Sequence, residues 1–311
     1  MTGQVVPGTR PAVAAGRATG KPRPWRLRHS PWLYVAPALI LLITFTYVPV
    51  ANMVFYSFHK WDGLDVTMDP VGLDNYVRVF TDERYWRVFL ISLYYLAASF
   101  VQIAIALYFA VVLSFSTRFR NLFKGILFFP YLLNGVAVGF VFLYLFQPDG
   151  TLDTVLRLIG LGDHTQQWLG DPDIANLSLA GTSVWRFTGL NFVLFLGAIQ
   201  SIPGDIYEAA EIDGANRWHQ FRHIIVPGIR RIISLSFILA ISGSLSVFEI
   251  PFVMTGGANG TRTFVVQAYE TAFQFRQIGL ASAMAVVLLL IVLLITWIQR
   301  RILPDEEVTL S

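Results

Sequence analysis

Apolar residues in this chain gather into long, almost uninterrupted runs, and nearly all of the charge sits in the short stretches between them. The runs lie near residues 32–58, 88–115, 122–146, 179–202, 229–254 and 278–302. A bilayer core takes roughly 20 residues of helix, so each run is long enough to cross one. Pro37 and Pro49 are expected to kink the first run. The third contains Pro130 and Asn134, which predicts a bend lined by protein or water. The last is the purest lipid-facing signal, wholly aliphatic over 286–295. The expected fold is an all-α membrane protein with six transmembrane helices.

One polar stretch, residues 203–228, lies between the fourth and fifth runs. Asp205 is a suitable N-cap, and Glu208 three residues later completes a capping box. Gly214 stops that helix after barely two turns, because glycine accepts left-handed dihedrals. Asn216 then caps a second short helix, which Pro227 is expected to end. Helices of this length do not hold in water alone, so other contacts must hold them. Ile206, Ala209, Ala210 and Asp213 share one face, and Trp218, Phe221 and Ile225 share another. The spacing fits both an ordinary loop packed on its own bundle and a low face that another protein approaches.

Charge placement sets the orientation. Residues 1–31 carry six arginines and lysines and no acid, which predicts a disordered tail beside an anionic membrane face. The run after it is too long for a signal peptide, so the first helix is expected to remain as a span. Arg118, Arg120, Lys124, Arg217, Arg222, Arg230, Arg231, Arg300 and Arg301 fall on the same side as the tail. Asp62, Asp65, Asp69, Asp74, Asp82, Glu83, Asp149, Asp153, Asp163, Asp171 and Asp173 fall on the other. The positive-inside rule then puts both termini and the 203–228 stretch in the cytoplasm. With 55% hydrophobic and 14% charged residues, a soluble domain is excluded. The net charge of +3 gives no reason to expect nucleic acid, and the lack of cysteine excludes disulfides and thiolate chemistry.

Glu208-Ala209-Ala210, followed by Gly214, Ile224 and Val226-Pro227, resembles the EAA motif of ABC-importer permeases, with valine in place of the usual leucine. Val71-Gly72-Leu73-Asp74-Asn75-Tyr76, Phe128-Phe129-Pro130, Trp185-Arg186-Phe187-Thr188-Gly189-Leu190-Asn191 and Thr255-Gly256-Gly257 resemble further segments of the sugar-type permeases, notably the first member of a permease pair. The resemblance spans roughly 32–302. It departs from the family at Ala258-Asn259, at Glu249 and at Ile91-Ser92. What it implies is a type I importer permease domain at 32–303, with a cytoplasmic coupling loop at about 203–229 and a cytoplasmic end at 304–311. Glu208, Ala209, Ala210, Asp213, Gly214, Phe221, Ile224 and Pro227 would then meet a dimer of ATPase subunits. The other implied partners are a second, different permease, an extracytoplasmic solute-binding protein and the lipid of a bacterial or archaeal cytoplasmic membrane.

The chain lacks a Gly-x4-Gly-Lys-Ser/Thr phosphate loop, so ATP and magnesium are expected at the partner ATPase, with no cofactor or metal on this chain. His164 among Asp163, Asp171 and Asp173 has no metal-specific spacing, and His219 with His223 suits interface packing better than zinc. Polar groups inside spans face protein or water. On that ground Glu249, Asn134, Asn191, Ser246, Phe248 and Tyr144 are candidates for a solute pathway. Gln102, Ser242, Ser244 and Phe140 are softer ones, and Arg186 lies near the outer end of its run. The expected function is ATP-driven import of a sugar or oligosaccharide. A polyol, a glycerol-phosphate-like or another non-sugar solute is the alternative. A membrane-embedded enzyme is more remote, because no acids, bases or metal ligands converge, and a passive channel would not need the coupling loop.

Overall fold

The computed structural model describes residues 30–115 and 120–302; the basic tail up to residue 29, Arg118 and the expected cytoplasmic end at 304–311 lie outside them. Among the described residues, five helices are long and apolar enough to cross a membrane: Tyr34–Ser57, Glu83–Ser114, Pro172–Gln200, Arg230–Thr255 and Ile278–Arg301. Asn121–Leu132 and Gly135–Leu145, which meet at 98°, together make a sixth candidate span. The chain divides at Ala51 into two compact units, and the first span straddles that division.

Each helix has a local cause. Asp171 accepts a hydrogen bond from the Asp173 amide, with Pro172 in the first turn, and so starts the fourth span. In the first span the turn at Ile43–Tyr47 is widened, with the Val48 amide reaching back five residues to the Ile43 carbonyl. Pro49 follows directly and sits in a continuing helix, Val48–Ser57. The wide turn makes room for the proline ring where a regular turn would press a carbonyl against it.

The second and fourth spans form the spine of the larger unit. Ala106 and Ala110 are fully buried and let the two backbones approach closely. Ile103, Leu113, Phe192, Phe195, Leu196 and Ile199 complete that cluster. At the other end, Phe89 stacks on Phe264 at 4.1 Å beside Val79, Tyr85, Leu280, Ala283, Met284 and Val287. The sixth span therefore corrects the lipid-facing reading over part of its length. Val286 and Val287 are buried in protein, while Leu290, Leu293 and Leu294 are exposed. Aliphatic composition cannot separate lipid neighbours from protein neighbours, because a membrane gives both the same solvation.

Several short pieces between the spans, Thr151–Leu158 among them, are additional to the expected six. A two-residue ladder pairs His59–Lys60 with Asp69–Pro70. Buried Asn75, at the start of Asp74–Thr81, donates to the Ser57 and His59 carbonyls and fixes that turn. The helix Phe264–Tyr269, extended by a wide turn at Glu270–Gln274, packs against the sixth span, with Arg262 paired to buried Glu270 at 3.1 Å.

Candidate functional site

The polar stretch between the fourth and fifth spans folds as helix, sharp bend, helix. Its first helix, Gly204–Ile212, starts two residues earlier than Asp205 capping would place it. The capping box is not formed: Pro203 in extended conformation precedes the helix, and the Asp205 carboxylate accepts from the Ile206 amide within the first turn. A carboxylate there still complements the helix dipole. The end is as local chemistry dictates. Gly214 has φ +80, the Gly214 amide donates to the Glu211 carbonyl at 3.0 Å, and the Ala215 amide donates to the Ala210 carbonyl at 2.8 Å. That pair of bonds is a Schellman motif, whose left-handed residue favours glycine.

Asn216 caps the second helix by accepting from the His219 amide at 3.0 Å. Pro227 does not end it, contrary to expectation. A wide turn at Phe221–Ile225, with the Val226 amide reaching the Phe221 carbonyl, carries the helix through Val226-Pro227 to Gly228. The same arrangement precedes Val48-Pro49 in the first span.

One side of this elbow is rooted in the bundle. Ile225 and Ile229 are fully buried, with Tyr207 and Phe221 half-buried, against the cluster on the second and fourth spans. Burial pushes the Tyr207 phenol above its ordinary pKa. Arg217 lies over the Phe115 ring at 4.8 Å. The other side is bare: Glu208, Ala209, Asp213, Gly214 and Pro227 are exposed, Ala210 and Ile224 half-buried. Ile212 is 88% exposed and Trp218 63%, an apolar surface well beyond ordinary scatter for so short a segment.

A cavity of about 600 Å³ opens at the break in the fifth span, and the break in the third leads into Gly135, which lies against two residues of its wall. The third breaks after Leu132, downstream of Pro130, and Asn134 restarts it by accepting from the Val136 amide at 2.9 Å. The fifth breaks at 246–248 and restarts at Glu249. Asn191, Ser246, Phe248 and Glu249, all expected on a solute pathway, line the cavity together with Gln102 and Ser244. Asn134 and Tyr144 do not: Asn134 is used as a helix cap, and Tyr144 is exposed farther along the half-helix.

The cavity wall also holds residues that the sequence did not single out as site residues. Arg186 Nη1 donates to Glu249 Oε2 at 2.7 Å, with side-chain exposures of 14% and 48%. Gly135 lies directly beneath: a Cβ on it would fall 1.6 Å from Glu249 Oε2 and 2.4 Å from Arg186 Nη1. The Tyr95 hydroxyl, Asn191 Oδ1 and Arg186 Nε are buried and have no partner. Buried polar atoms are normally satisfied, so these mark a place where water or a polar solute completes the set.

In fold the chain matches solved structures. A bacterial ABC transporter involved in the import of the acidic polysaccharide alginate aligns with TM-score 0.75 and 24% identity, over 89% of this chain and 98% of that one. The alginate ABC transporter in complex with an alginate pentasaccharide-bound periplasmic protein aligns with TM-score 0.76 and 21% identity, over 90% and 96%. At those identities the match establishes the fold. Residues 102–307, which include the fourth span, the elbow and most of the cavity lining, match the family described as binding-protein-dependent transport system inner membrane component. The chain belongs to that family. The permease is 32% identical to the probable ABC transporter permease protein YurN of Bacillus subtilis, over 87% of this chain and 94% of the relative. It is 31% identical to the multiple sugar-binding transport system permease protein MsmF of Streptococcus mutans, over 89% and 96%. Identity to the osmoprotective compounds uptake permease protein GgtC of Synechocystis is 33%, over 86% and 97%. The permease is thus a multi-pass membrane transport subunit, built as the expected importer fold.

Proposed function

We propose that this permease forms one half of the pore of an ATP-driven importer for a neutral sugar or oligosaccharide. A second, different permease supplies the other half, and an extracytoplasmic binding protein delivers the solute. A dimer of ATPase subunits, which hold ATP and magnesium, grips Glu208, Ala209, Ala210, Asp213 and Gly214 on the bare side of the elbow. Both termini and the elbow then lie in the cytoplasm, as the charge distribution favours.

The observation that carries this reading is a shared helix pair. Gln102 and Asn191 line the cavity, and their neighbours Ile103 and Phe192 belong to the cluster in which Ile225 and Ile229 root the elbow. A push on the elbow is therefore delivered to the helices that form the solute wall, as a rigid-body motion. The hydrolysis energy enters through contacts that differ between the inward- and outward-open states.

The cavity chemistry supports a neutral solute. Its polar wall is made of amides and hydroxyls, and its one arginine is paired with its one carboxylate. A phosphorylated solute would call for unpaired cations. The likeness to MsmF, named for multiple sugar binding, favours a sugar. The test is reconstitution with the ATPase, the second permease and the binding protein in proteoliposomes. Uptake of the solute held by the binding protein should require ATP and all four components. Uptake by the permease alone, or without nucleotide, overturns the proposal.

A further inference from the structure

We infer that Gly135, Arg186 and Glu249 form a latch that holds the outer gate of the cavity shut. This rests on the reading of the chain as an importer permease. The two half-helices beyond the breaks, Gly135–Leu145 and Glu249–Thr255, pack on one another. Each is joined to the rest of its span only through a non-helical link, at 133–134 and at 246–248. They form a paired flap with two hinges: the 246–248 link lines the cavity, and the 133–134 link leads into Gly135, which lies against the Arg186–Glu249 pair on the cavity wall. The fourth span is one unbroken helix of 29 residues, so it is the fixed post against which the flap closes.

Arg186 projects from that post and reaches the flap. Its Nη1 donates to Glu249 Oε2 at 2.7 Å, at the first residue of one half-helix. Gly135, the first residue of the other half-helix, supplies the notch that admits the pair, since any Cβ there would overlap both charged groups. The carboxylate also sits at the start of an 11-residue helix, where the dipole favours negative charge. Arg186 is further held over the Phe187 ring at 4.9 Å on its own span. One ion pair thus joins three spans at the point where two of them hinge. Opening the cavity outward must part it, so these are positioning residues for the transport cycle, acting on the gate.

The absence of native cysteine allows a direct test. Ala98, half-buried on the cavity wall and outside the latch, is changed to cysteine in the complete complex. Labelling by a membrane-impermeant maleimide is timed from the outer side. Glu249→Gln and Arg186→Gln should each accelerate labelling about fivefold, the factor given by about 1 kcal/mol of lost pairing. Each should raise ATP hydrolysis in the absence of binding protein by a similar factor. The double variant should be no faster than either single one, and Arg186→Glu with Glu249→Arg should return labelling to within about twofold of the parent, as coupled partners do. Unchanged labelling in the single variants, or additive effects in the double, overturns the latch. Should a neutral variant fail to assemble with the ATPase, Arg186→Lys decides: it keeps the charge but loses the planar fork. Faster labelling then supports the latch and parental labelling overturns it. If the latch variants change nothing while Gly214→Pro still abolishes stimulated hydrolysis, the latch fails and the importer reading stands.

Discussion

Gly214 and Asn216 hold the two ends of the bend in the elbow, by chemistry that acts over five positions or fewer. With φ +80 at Gly214, proline is geometrically excluded and any side chain is strained. Gly214→Pro should leave membrane insertion intact but abolish solute-stimulated ATP hydrolysis in the reconstituted complex. Undiminished stimulation would refute the coupling role. Asn216→Ala removes the acceptor for the His219 amide, a loss of about 1 kcal/mol for a helix cap. Its expected effect is partial: faster hydrogen exchange across Arg217–Gln220 and a reduced yield of co-purified ATPase. These residues were legible in the sequence because capping is local. Asp205 was misread because Pro203, two residues upstream, already sets the helix start. The Arg186–Glu249 pair was not legible at all, since its members lie 63 positions apart and only the fold brings them together.

At the scale of elements, proline marks two different events in this chain. After Pro130 the helix ends within two residues and restarts at 98°, capped by Asn134. Before Pro49 and Pro227 the helix instead widens by one residue and continues. After Pro130 the Asn134 side chain caps a new half-helix, whereas before Pro49 and Pro227 a wide turn lets the same helix run on. Sequence therefore located the bend in the third span correctly and misjudged the stop at Pro227. The break at 246–248 has no proline or glycine within it, so periodicity reads straight through. Pro227→Ala lets the wide turn relax to a regular one, which turns the elbow by about 100° relative to the fifth span. Ile225 would then leave the cluster it fills. The prediction is weaker ATPase co-purification at unchanged permease expression, and normal co-purification would show that the wide turn does not set the elbow's register.

For the whole molecule, hydrophobic run length alone located the six spans, because a bilayer demands a fixed length of apolar helix. What it missed are the pieces too short to span, such as Phe264–Tyr269 and Asp74–Thr81, whose burial depends on neighbours distant in sequence. The same charge asymmetry that orders the spans also predicts which side each loop occupies. Arginines lie within and just after the elbow, and aspartates crowd the loop between the third and fourth spans, where Asp149 pairs with Arg157 and Asp153 accepts from the Trp168 indole. Translocating the basic segment would oppose the membrane potential, at about 2.3 kcal/mol per charge per 100 mV, which is why the elbow is expected inside. Single cysteines at the exposed positions Ala209 and Asp163 test this in a chain that has no others. Asp163→Cys should react with an impermeant maleimide in intact cells, and Ala209→Cys only after the membrane is opened. The ATPase itself supplies the second half of the test, because its docked subunit should shield Ala209→Cys in opened membranes, and stripping it should restore reaction. Labelling of Ala209→Cys from outside would reverse the topology and remove the elbow from ATP altogether.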